Sequence, residues 1–213
     1  MFPAILRTQW KGSRTLVLLA TLVGFALPLG SLSSARGALN PTQFIGAMQQ
    51  WAGGYAILAA GLGLLIAMAA WQPDHAGRHV YALSLPVSRA RYTLMRMGAG
   101  AALMVPPVLA VLLGALIVAA SDIPNGLHAY PLALALRFAF AAAVAYAIFF
   151  AIASSTPQTA GVILGIIAAV IFTQYLMSIM GSKQDILEPI VRFIFVKPGL
   201  LSIFTGRWML VDV

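Results

Sequence analysis

Cysteine is absent from these 213 residues, and only five side chains are acidic, four Asp and one Glu. The first absence excludes disulfides and thiolate metal centres. The second leaves too few carboxylates for chemistry that needs them paired, and those present are scattered along the chain. Histidine is as scarce, with three residues, which excludes membrane di-iron oxidases. No G-x-x-x-x-G-K-[ST] phosphate loop occurs, because Lys11 follows Trp10 rather than a glycine-rich turn, and no acidic magnesium-binding strand is visible. Any ATP used must be hydrolysed by another polypeptide.

What is present is apolar. Hydrophobic residues make up 61% of the chain, charged residues 8%, and the mean hydropathy is +0.93. A soluble core of this size does not require that. Runs such as GLGLLIAMAA and GVILGIIAAVIF do not alternate as barrel strands do, so the fold class is all-α, a polytopic α-helical membrane protein. About 20 apolar residues cross a bilayer. By that measure five spans are expected, at roughly 15–32, 51–71, 97–120, 131–153 and 159–181. Trp51 and Trp71 bracket the second at heights suited to indole rings. Pro106-Pro107 predicts a local break and bend in the third, and Pro28 a kink in the first. Pro124-Asn125-Gly126 marks a turn before the fourth, and SSTPQ a turn after it. Gly54, Gly61 and Gly63 in the second span, and Gly161 and Gly165 in the fifth, allow close helix approach.

The whole chain reads as one transmembrane domain, 1–213. Residues 1–14 place Phe2, Ile5, Leu6 and Trp10 near one side of a helix and Arg7, Lys11 and Arg14 toward headgroups, which predicts an amphipathic interfacial helix. A cleaved leader is the competing reading of this end, but the basic amphipathic stretch is longer than a usual charged leader. The net charge of +8 is carried in loops, where it marks the cytoplasmic side rather than a nucleic-acid surface. Arg7, Lys11 and Arg14, with Arg78, Arg89, Arg91 and Arg96, put the amino terminus and the loop at 72–96 in the cytoplasm of a plasma (inner) membrane protein. Residues 182–213 then fall outside, as short helices at the outer interface.

The one long polar interruption, PDHAGRHVYALSLPVSRARYTLMRMG at 73–98, carries more pattern than topology requires. Tyr81, Leu83 and Leu85 would offer apolar docking surface, and Arg89, Arg91 and Arg96 would pair with an acidic or carbonyl-rich groove. Asp74, His75 and His79 have ligand-like spacing but too few companions for a metal site, so none is expected. Arg137 is the sole charge well inside an apolar span. It either snorkels to the outer interface or lines a transport path.

With its basic amino-terminal helix, two spans and the loop GRHVYALSLPVSRARYTLMR, the chain resembles the permease subunits of type-2 ABC exporters. The matching residues are Gly77, Tyr81, Leu83, Leu85-Pro86-Val87-Ser88-Arg89, Tyr92 and Arg96. The resemblance implies that the loop is a coupling helix docking through Tyr81, Leu83, Leu85, Pro86, Ser88, Arg89, Tyr92 and Arg96 on a separate ATP-binding subunit, which holds ATP and magnesium. It further implies that a second permease copy or paralogue completes the path, that the substrate is amphipathic or lipid-like, and that a sixth span follows residue 213. This chain would then be no enzyme and carry no cofactor of its own. Its partners would be the ATP-binding subunit, the second permease and membrane lipid. The alternatives are a non-transporting scaffold or assembly factor and, less favoured, an intramembrane enzyme. The enzyme would need acids or histidines that the spans lack.

Overall fold

The computed structural model describes residues 1–76, 88–121, 123–155, 157–179, 200–205 and 208–212. Helices account for nearly all of them: α1 (Phe2–Ala35), α2 (Pro41–Gln49), α3 (Ala52–Ala76), α4 (Arg89–Ala119), α5 (Pro131–Ala153) and α6 (Pro157–Ile179). A 3₁₀ turn at Leu200–Phe204 and two short strands, β1 (His128–Ala129) and β2 (Val211–Asp212), complete the described chain.

Local chemistry sets most of the boundaries. The Asn40 side chain accepts from the Gln43 amide at 2.9 Å, and the Gln43 side chain accepts from the Leu39 amide at 3.1 Å, so the first turn of α2 is capped from both directions. Ser88 caps α4 through the Arg91 amide at 3.4 Å. The Pro124-Asn125-Gly126 turn forms as expected. Gly126 has φ +88°, and the Leu127 amide reaches the Pro124 carbonyl at 3.2 Å. α5 matches the expected fourth span at both ends.

Among the described residues four segments are long and apolar enough to cross a membrane: α1, the continuous stretch Pro41–Asp74 over α2 and α3, α4, and α5. This differs from the expected five. The fifth expected span corresponds to α6, in which the described apolar stretch is the shorter Gly161–Val170. The chain is a multi-pass α-helical membrane protein.

Residues 2–14 do not form a separate interfacial helix. They are the first turns of α1, which continues without a break past Arg14. Its 34 residues reach about 51 Å, well beyond a hydrocarbon core of about 30 Å, so the charged end projects past the apolar zone while the backbone stays helical. The loop expected at 72–96 is also shorter, because α3 extends to Ala76 and α4 begins at Arg89. The α4 helix likewise runs through Pro106-Pro107. Trp71 is not an interfacial anchor: it is 6% exposed and packs on Phe150, with ring centroids 5.2 Å apart.

α1 lies along α4 and α3 along α5, with α4 against α5 joining the two pairs, while α6 packs more sparsely on α5. Val17, Ile66, Val111, Val118, Leu134 and Phe138 fill the interior, and Leu22, Ile57, Leu113 and Phe140 point outward as lipid-facing residues do. Close approach to the backbone of a neighbouring helix depends on glycine at two places. A β-carbon on Gly63 would lie 2.6 Å from the Tyr146 amide nitrogen of α5, and one on Gly114 would lie 2.6 Å from the Phe25 carbonyl oxygen of α1. The α1–α4 contact is reciprocal, because Gly114 also faces the Pro28 ring while Gly24 faces the Pro107 carbonyl. Gly61, Gly161 and Gly165 meet nothing within 4 Å.

The described tail is not a set of free interfacial helices. β2 pairs antiparallel with β1, placing His128 opposite Asp212 and Ala129 opposite Val211, and the Tyr130 amide reaches the Leu210 carbonyl at 2.7 Å. These residues sit at the end of the bundle opposite the amino terminus.

Candidate functional site

The amino terminus of α1, the carboxyl end of α3 and the first turns of α4 meet at one end of the bundle. There Asp74 and Arg96 form a buried ion pair, their side chains 3% and 5% exposed. The Tyr92 hydroxyl donates to both carboxylate oxygens of Asp74, at 3.2 and 3.3 Å. The Arg96 guanidinium carbon lies 5.0 Å from the Trp71 ring centroid and 5.2 Å from that of Tyr92. Flat guanidinium groups favour such faces. Across from these, the buried Gln9 side chain of α1 donates to the Arg96 backbone carbonyl at 3.2 Å. The Tyr146 hydroxyl of α5 donates to the Met97 carbonyl at 3.1 Å. Three helices, α1, α3 and α5, therefore fix one turn of α4.

The pair has to work against its surroundings. Asp74 occupies the last turn of α3, where the helix dipole disfavours an anion, and burial removes the water that would otherwise solvate both charges. Tyr92 and the two aromatic faces replace part of that solvation. Arg96 Nε and Trp71 Nε1 remain buried without a hydrogen-bond partner. A cavity of about 220 Å³ adjoins the cluster, walled by Met1, Ile5, Gln9, Pro73, Asp74 and Arg96.

This arrangement corrects the expected docking surface. Tyr92 and Arg96 belong to α4 and turn inward, 6% and 4% exposed, so neither is presented to a partner. Ser88 is exposed and caps α4, and Arg89 and Arg91 are exposed beside it. Tyr81, Leu83, Leu85 and Pro86 lie outside the described residues, as do His79 and the side chain of His75. Asp74, considered as a metal ligand from its neighbours, is instead held by Arg96 and Tyr92. Sequence reasoning missed its role because the partner is 22 positions away on another helix.

At the opposite end, Arg137 finds carbonyls. Its Nε and Nη2 donate to Ile203 O at 3.2 and 3.0 Å, and Nη2 also donates to Thr205 O. The guanidinium carbon is 4.9 Å from the Trp208 ring centroid, and Trp208 stacks on Tyr55 at 6.0 Å. Arg137 thus bonds to the tail, a contact that neither the snorkelling nor the transport-path reading anticipated. Comparison with protein-family models, curated proteins and solved structures finds no match for this chain.

Proposed function

We propose that the chain is the transmembrane permease subunit of an ATP-driven exporter, receiving motion from a separate ATP-binding subunit through the segment between α3 and α4. The observation that carries this reading is the Asp74–Arg96 pair. It joins the two helices that flank residues 77–87, at the end of the bundle where Arg7, Lys11, Arg14, Arg89 and Arg91 are also exposed. A push on a loop whose ends are tied together moves α3 and α4 as one body, whereas a loop with free ends would absorb it. The basic residues support a cytoplasmic location for this end, in the plasma (inner) membrane.

The mid-bundle interior of one copy is apolar among the described residues, so a path for an amphipathic substrate would need a second permease. The same observation favours a second reading, a non-transporting scaffold, which would have no path at all. Co-expression with the ATP-binding subunit separates them. The wild-type pair should co-purify and hydrolyse ATP faster in lipid than the ATP-binding subunit alone, and Leu83→Asp with Leu85→Asp should abolish co-purification while the chain still inserts. Association without any change in hydrolysis would favour the scaffold, and association unaffected by the two Asp substitutions would remove the docking assignment.

A further inference from the structure

On the side away from its packing, α1 carries an exposed stripe that changes chemistry along its length. At 3.6 residues per turn, Arg7, Lys11, Arg14, Leu18 and Leu22 fall within about a quarter of the helix circumference, opposite the buried Gln9, Ser13, Ala20 and Leu27. All five are exposed, Leu18 and Leu22 by 60% and 65%. The uncharged run 15–35 is about 30 Å long as helix, the thickness of a hydrocarbon core, which sets Arg14 at the edge of that core. Helical side chains lean toward the amino end, so Arg14 reaches into the headgroup layer beside Lys11, and Arg7 stands a further turn toward water. Trp10, 39% exposed, flanks the row at a depth that indole rings favour.

The basic row has no anion of its own. Like charges three and four residues apart on a helix repel. The first turn of α1 has no acidic residue, and Asp74, the one acidic side chain described at this end of the bundle, is held by Arg96. We propose that the stripe binds an anionic phospholipid, its phosphate between Lys11 and Arg14, Arg7 closing from the water side and an acyl chain along Leu18 and Leu22. Lys11 and Arg14 are on adjacent turns, their β-carbons about 5–6 Å apart, a spacing that one phosphate bridges. An acidic protein surface would match the basic row but not the leucines, which lie at the depth of the acyl chains. The site needs only the spanning helix, so it holds for an exporter or a scaffold alike.

Because the chain has no cysteine, Thr15→Cys places a unique fluorophore at the exposed edge of the stripe, and Leu132→Cys places one at the opposite end of the bundle. Each is reconstituted in phosphatidylcholine discs containing a fraction of lipid brominated on its acyl chains, either phosphatidylglycerol or phosphatidylcholine, and quenching gives the preference for the acidic lipid. Both leaflets of a disc share one composition, so orientation does not enter. At Thr15 phosphatidylglycerol should be preferred roughly tenfold or more, since each basic residue at the surface contributes about fivefold. At Leu132 the two lipids should quench alike. Arg7→Gln with Lys11→Gln and Arg14→Gln should abolish the preference at Thr15, while Arg7→Lys with Arg14→Lys should retain it, which separates lost charge from a disturbed helix. Equal preference at both positions, preference that survives the three Gln substitutions or is lost with the two Lys substitutions, or no preference at all would overturn the proposal, the last returning the basic row to a protein partner. No ATP-binding subunit is present, so this result and the co-purification result stand or fall separately.

Discussion

Asp74 and Arg96 lie on different helices, 22 positions apart, and form a buried ion pair that Tyr92 completes from the turn below. Removing one charge from such a pair leaves the other buried and uncompensated, which costs about 3–5 kcal/mol. Arg96→Gln should therefore destabilise the chain by about that amount in reversible unfolding from mixed micelles. Adding Asp74→Asn to Arg96→Gln should recover a good part of the loss, since neither charge then remains. Additive losses would mean that the pair is not coupled.

Glycines that look alike in sequence should respond differently to alanine. Gly114→Ala drives a β-carbon against the Phe25 backbone, so it should cost about 1–3 kcal/mol, as overpacking does. Gly161→Ala meets open space on α6 and should be neutral or stabilising by up to about 1 kcal/mol, through helix propensity. Thermal unfolding of the two variants in one detergent compares them directly.

Arg137 ties residues 200–205 and Trp208 to α5. Arg137→Gln removes its charge-assisted bonds, so a unique cysteine at Ser202 should react with maleimide at least about tenfold faster than in the wild-type background. Arg137→Lys keeps the charge but not the planar fork, and its rate should fall between the two. An unchanged rate in both variants would show that the tail is held without Arg137.

The two ends of the bundle should lie on opposite sides of the membrane. Cysteines at the exposed Ala90 and Asn125 positions test this in intact cells with an impermeant thiol reagent. Asn125→Cys should label from outside, and Ala90→Cys only after permeabilisation. The reverse pattern would invert the assigned orientation.

Much of the helical layout could be read in advance, because hydropathy and turn residues act locally. α5 begins at Pro131 and ends before Ser154-Ser155, and both limits are visible in the sequence. α1 was harder: Arg7, Lys11 and Arg14 look like the edge of a span, but charge changes the solvent a helix prefers without breaking its hydrogen bonds. The ion pair and the Arg137 anchor were illegible for another reason. Asp74 and Arg96 read as loop charges because nothing local announces that two helix ends meet. Arg137 reads as an exposed cost until Ile203, 66 positions later, supplies its carbonyl.

The reciprocal fit of α1 and α4 has a mechanical consequence. Gly114 is the notch for Pro28, and Gly24 is the notch for the backbone at Pro107, so each helix carries both a tooth and a gap. Sliding by one residue would set a tooth against a side chain at both places at once. Register along this seam is therefore fixed at two points rather than one.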